Sequence, residues 1–205
     1  MNKEDSLKEK FKQALISTAK VISDDILIKK SSGQNSLNKF DSIKVEELSE
    51  KKDFIRSRAE MDSSALKKRF SDNYIYQSNL PQNTTYRSLY KISEKIRFEM
   101  VGSKMLKGIE KNFKDNYQIN IDNKKDKDNE IKNREDTSVE KAFELYMLKK
   151  FFKTEMNNYS NKILSYWEKD FDECISNHID FFNKNIENQE VYNRKFSEII
   201  ESMNL

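Results

Sequence analysis

The chain has 205 residues, of which 36% are charged and 36% hydrophobic, with 13 Phe, 9 Tyr and one Trp. It is about one domain long and too aromatic to be disordered. Three glycines (Gly33, Gly102, Gly108) and one proline (Pro81) leave little turn punctuation, which disfavours a many-stranded sandwich or a doubly wound sheet and points to a mainly α-helical fold of about six helices. A single Cys174 rules out an internal disulfide framework and a Cys-rich zinc site. With no apolar run long enough to span a bilayer, the expected location is the cytoplasm.

Charge is uneven. Residues 51–114 carry 15 basic and 7 acidic groups, whereas 115–205 carry 14 and 19. The basic middle suits an acidic partner, a membrane surface or nucleic acid, and it also suits a plain solvated helix face.

In chain order, Leu7, Phe11, Ala14, Leu15, Thr18 and Ile22 recur at helical spacing, predicting a helix over about 5–23. Ile26 to Ile28 and Ile43/Val45 flank a polar stretch around Gly33, which suggests a small β-hairpin near residues 26–47. From 51 to 70 the stripe Ile55, Ala59, Leu66, Phe70 has Asp62 lying on it, so a buried carboxylate in need of a partner is expected there. Asn83-Thr84-Thr85 reads as the cap of a second long helix carrying Tyr86, Leu89, Ile92, Ile96 and Met100.

Gly102 and Gly108 then interrupt the pattern, and each glycine inside a helix costs about 1 kcal/mol relative to alanine, so either a break or a close helix contact is required. Close packing is the expectation. Residues 115–136 are rich in charge and read as a flexible surface insert that divides the chain. Beyond it, Val139/Ala142/Phe143/Tyr146/Met147, Leu164/Trp167/Phe171/Ile175/Ile179/Phe182 and Tyr192/Phe196/Ile199/Met203 predict three more helices.

There is no P-loop, no dinucleotide fingerprint and no Asp-x-Ser-x-Ser metal-adhesion pattern. Asp170, Cys174 and His178 lie four apart, but on a face crowded by Phe171, Ile175 and Phe182. A buried Cys and a core His are therefore expected there, not a metal site. No catalytic, cofactor or metal residue is assigned. The charged set Arg58, Asp62, Glu94, Arg97 and Glu99 is read as structural, with Asp62 and Arg97 expected to pair between the two long helices.

Two segments resemble a known family. Arg58-Ala59-Glu60-Met61-Asp62-Ser63-Ser64-Ala65-Leu66, continuing to Asp72, is similar to an Arg-Gly-x-Ala-Asp-x-x-Ala-Leu stretch in the N-terminal region of the CobT family. Glu94-x-x-Arg97-x-Glu99-x-x-Gly102, followed by Gly108 and Asn112, resembles that family's Glu-x-x-Arg-x-Glu-x-x-Gly-x-x-x-Met-x-Gly segment, with Leu106 in place of the methionine. The tail, with Trp167, Asn188-Gln189 and Phe196, agrees at similar intervals.

The resemblance implies a single helical domain over residues 1–205. It also implies a role as non-catalytic assembly subunit of the aerobic, ATP-dependent cobaltochelatase of cobalamin biosynthesis. Its partners would be a CobS-like AAA+ ATPase and a large CobN-like catalytic subunit, with ATP, magnesium and cobalt handled by the complex and not by this chain. The acidic linker and von Willebrand A-like domain of longer relatives are not in the sequence, which is expected to be an excised domain or a short form. Alternatives are the adaptor of a MoxR-like chaperone pair with another client, or a helical nucleic-acid binder using Lys51, Lys52, Arg56, Lys67, Lys68 and Arg69.

Overall fold

The computed structural model describes residues 3–23, 48–123 and 131–203, with side chains described from residue 6 onward. Every regular element among them is helical, and none of these helices is long and apolar enough to cross a membrane. The expected hairpin at 26–47 lies outside the described residues. The chain divides into two compact units, residues 1–69 and 70–205, so the boundary falls ahead of the second long helix and not at the charged insert.

In the first unit, α1 spans Lys3–Ile22 and α2 spans Lys51–Phe70. The α1 stripe is narrower than the sequence spacing suggested: Leu15, Ile16, Ala19 and Ile22 are buried, while Leu7 is 66% exposed. The rings of Phe11 and Phe54 meet edge to face at 4.8 Å, and Arg69 Nη1 donates to the Ile22 carbonyl at 3.2 Å, satisfying an acceptor left open at the helix end. Asp53 begins α2 by accepting from the backbone N–H groups of Ser49 (3.2 Å) and Glu50 (2.8 Å).

The second unit is built on α4, Thr84–Met105, which packs against α5 (Lys107–Asp122), α6 (Val139–Met147) and α9 (Gln189–Glu201). Short α3, Asn73–Ser78, lies against α9, and α7, Asn158–Ile175, lies against α6. The predicted cap of α4 is present: Asn83 Oδ1 accepts from the Thr85 and Tyr86 N–H groups at 2.8 and 3.3 Å. An aromatic core fills the space between α6, α7, α8 (Ile179–Lys184) and α9. Phe143 meets Phe171 at 5.3 Å, and Phe182 meets Phe196 at 4.6 Å.

Four sequence expectations change here. The two glycines flank a break, since Leu106 is extended (φ −138°, ψ 113°) between α4 and α5, and at Gly108 the expected close contact is not found, because a Cβ added there would meet nothing within 4 Å. Helix α5 continues to Asp122, burying Ile109, Phe113, Tyr117 and Ile121, so residues 115–122 are helical and two of them, Tyr117 and Ile121, join the core. On the far side of the insert Ile131 is buried and Arg134–Asp136 form a 3-10 turn. Finally, the helix expected through Leu164 to Phe182 is interrupted by a 3-10 turn at Ser176–His178, which separates α7 from α8.

Helix α6 runs on through a π turn, Leu148–Phe152, that ends at Lys153 with φ 56° and ψ 36°. Its N–H donates to the Leu148 carbonyl, the bond that closes the turn. A side chain with a Cβ is strained in this left-handed region and glycine is not. Lys153→Gly should therefore raise the unfolding free energy by about 1 kcal/mol, and Lys153→Val should lower it by a similar amount, as read from urea denaturation.

Candidate functional site

Helix α4 buries three charged residues, Glu94, Arg97 and Glu99, each exposed by 2% or less. Their spacing decides their partners. Glu94 and Arg97, three residues apart, lie on one face and form a two-pronged pair, with Arg97 Nε and Nη2 donating to Glu94 Oε2 and Oε1 at 2.7 and 2.9 Å. The remaining donors reach carbonyls: Arg97 Nη1 to Ile186 at 3.2 Å and Nη2 to Phe70.

Glu94 Oε1 also accepts from Ser71 Oγ at 2.6 Å and from Gln189 Nε2 at 3.2 Å. Gln189 then holds the backbone of Asp72, accepting its N–H at 2.7 Å and donating to its carbonyl at 3.0 Å. With its backbone fixed, Asp72 is free to cap α3, its Oδ1 accepting from Tyr74 and Ile75. Two buried charges are thus neutralised and hydrogen-bonded by four segments of chain, the condition under which burial of ions is tolerated.

Glu99 sits one turn further along. It accepts from the Tyr117 hydroxyl of α5, and Lys95 Nζ stands 3.9 Å from its carboxylate and 5.5 Å above the Tyr117 ring. Burial first, and the Glu99 charge second, push the Tyr117 hydroxyl well above its ordinary range, so it remains a donor.

In the other unit, Arg58 Nε donates to Asp62 at 3.2 Å within α2, and Asp62 is 1% exposed. The carboxylate on the apolar stripe is buried as expected. Both Asp62 and Arg97 take a partner from their own helix, Arg58 and Glu94, because positions three or four apart on one helix already meet.

Gly102 is buried near the end of α4 and its carbonyl accepts from the Leu106 N–H, whereas Gly108 is exposed in the first turn of α5. Asp170, Cys174 and His178 are all only half buried. Because α7 ends at Ile175, His178 falls in the 3-10 turn and the four-residue alignment is lost, while Asp170 takes Arg134 as partner at 2.7 Å. Among the described residues no three His, Cys, Asp or Glu side chains are placed to hold a metal ion.

A cleft of about 370 Å³ opens between α5, α6 and α7, with Tyr117, Ile121, Leu148 and Tyr159 on its wall. Its charged residues, Lys141 and Glu144, bond each other at 2.6 Å. Ser71, Tyr117 and Gln189 had not been singled out from the sequence as site residues. Tyr117 carried a usable signal, since Ile109, Phe113, Tyr117 and Ile121 repeat every four residues.

Removing Arg97 leaves the Glu94 carboxylate buried without its countercharge. Arg97→Met should cost about 3–5 kcal/mol of stability in chemical denaturation, with part of the loss recovered in the double variant Arg97→Met/Glu94→Gln.

Four buried tyrosines set an alkaline limit. Tyr90, Tyr117, Tyr146 and Tyr192 are all pushed up from the usual 10.0, first by burial, then by Glu94 (Tyr90 and Tyr192), Glu99 (Tyr117) and Asp172 (Tyr146). Stability from these groups is complete below the unfolded-state value near pH 10 and is lost as pH rises beyond it, because only the unfolded chain can ionise them. The share of tyrosinate absorbance that belongs to these four rings should appear together with loss of helical circular dichroism. Ionisation of all tyrosines in a fully helical protein would contradict this.

Residues 5–205 match the family described as cobalamin biosynthesis protein CobT. Searches of curated proteins and of solved structures each found no match. The match covers essentially the whole chain and includes α2, the buried polar network of α4 and the Asn188-Gln189 start of α9, and on that basis the chain belongs to the CobT family, whose role lies in cobalamin biosynthesis.

Proposed function

We propose that this chain is the non-catalytic assembly subunit, or domain, of a cobaltochelatase-type complex that inserts cobalt into hydrogenobyrinic acid a,c-diamide. One observation carries the reading: Asp62, Glu94, Arg97 and Glu99, by which the sequence resembles the family, are buried, Asp62 paired within its own helix and the other three spent on tying α4 to neighbouring segments. Such residues preserve the shape of the unit they lie in. A fixed body is what an adaptor between two working subunits requires, so the work falls to the partners: ATP and magnesium to a CobS-like AAA+ ATPase, the cobalt substrate and the corrin ring to a large CobN-like subunit.

The basic surface of α2, where Lys51, Arg56 and Lys67 are exposed, supplies long-range attraction to an acidic face of the ATPase. The test is co-purification of this chain with the AAA+ ATPase of the same genome in the presence of ATP, ADP or no nucleotide, followed by cobalt insertion with the large subunit added. Association in at least one nucleotide state is expected, weakening about tenfold or more between low salt and about 0.5 M salt, where exposed charges are screened within a few Å. Absence of association in all three states, or cobalt insertion that proceeds equally well without this chain, would overturn the proposal.

A further inference from the structure

Among the described residues of the second unit, the large apolar side chains left in solvent are Tyr74, Met105, Leu106 and Phe181. Three of them sit around one junction. Lys104 Nζ donates to the Asn183 carbonyl at 3.3 Å, which brings the end of α4 beside α8. Met105 and Leu106 follow Lys104 directly, and Phe181 precedes Asn183 by two residues.

Their exposure follows from the backbone. The extended Leu106 closes α4 and opens α5, and the core is entered again only at Ile109. On α8 the core position is taken by Phe182, fully buried with its ring 5.9 Å from that of Phe181, so Phe181 is left outside at 37% exposure, with Met105 at 50% and Leu106 at 52%.

Charge brackets this apolar patch unequally. On the α5 side Lys107 and Lys111, one turn apart, are exposed and form no ion pair among the described residues. On the α8 side Asp180, Glu187 and Glu190 are exposed and likewise unpaired, against a single lysine, Lys184. An acidic protein segment or a nucleic acid meeting the lysines would be repelled by the three carboxylates. A second copy of the same patch would not. Turned about a two-fold axis through the apolar centre, each basic flank meets the partner's acidic flank, the self-complementary arrangement that an isologous dimer requires.

We infer that the α4–α5 corner and α8 together form a contact between two copies of this chain. The interaction needs no other protein and is independent of the chelatase reading. Three apolar side chains and a few charge pairs make a small interface, so the dimer is weak and forms at micromolar or higher concentration.

The test is sedimentation velocity of the full chain over a wide concentration range, with two charge-reversal variants, Lys107→Glu/Lys111→Glu and Asp180→Lys/Glu187→Lys. All four positions are exposed, and helical circular dichroism checks that each variant folds. The expected result is a concentration-dependent species of twice the monomer mass. Either variant alone should weaken it about tenfold or more, and mixing the two variants should restore it, because each reversed flank then faces its opposite. A chain that stays monomeric at every concentration, or a dimer indifferent to both reversals, would overturn the inference.

Discussion

The second unit depends on keeping two full charges, those of Glu94 and Arg97, in a place where water does not reach them. An isolated ion in such surroundings is costly by several kcal/mol, and attraction between the two recovers this only if every remaining donor and acceptor is also matched. That requirement reaches far along the chain. Arg97 takes the carbonyls of Phe70 and Ile186, while Glu94 takes Ser71 and Gln189, so the entry to α3, the middle of α4, the α8–α9 connection and the first residue of α9 must all arrive together. An apolar core of the same volume tolerates small slides between helices. This one has its register written in hydrogen bonds, and the same residues that the family match covers write it.

The aromatic layer does complementary work. Buried tyrosines send their hydroxyls to fixed acceptors: Tyr146 to Asp172 at 2.8 Å, Tyr90 to the Tyr76 carbonyl at 3.2 Å, Tyr117 to Glu99. Each contributes apolar area and a directional bond at once. Phenylalanines such as Phe143 and Phe196 supply volume without direction, and the alternation of the two types lets α6 be covered nearly all round while its neighbours stay oriented.

How much of this could be read beforehand varied with the range of the interaction. Helix α2 was legible at both ends, and the Asn83 cap of α4 was legible because capping is decided within three residues. Asp62 could be recognised as buried because it interrupts an apolar stripe. One partner, Arg58, is nearer than the apolar stripes suggest, one turn away on the same helix. Gln189 gave no local hint of its role, since its bonds run to residues 117 and 95 positions earlier and nothing in a periodic pattern encodes that distance. Charge density also misled, hiding the stripe through Phe113, Tyr117 and Ile121 inside what looked like an insert.

The segment after that insert is fastened at several points. Ile131 is buried, Tyr166 donates to the Lys132 carbonyl, Asp136 accepts from two backbone N–H groups, and Arg134 stacks on Trp167 at 3.7 Å while bonding Asp170. On the near side, Asn157 Nδ2 holds the carbonyl of Ile121 at 2.6 Å. Both rims are therefore anchored to the helical body through described residues. Since closing a longer loop adds little free energy once its ends are pinned, chain length between the rims is a nearly free variable. The same place is where a fluorophore, an epitope or a purification handle is accommodated most cheaply, leaving α2, the α4 network and the α4–α5 corner untouched.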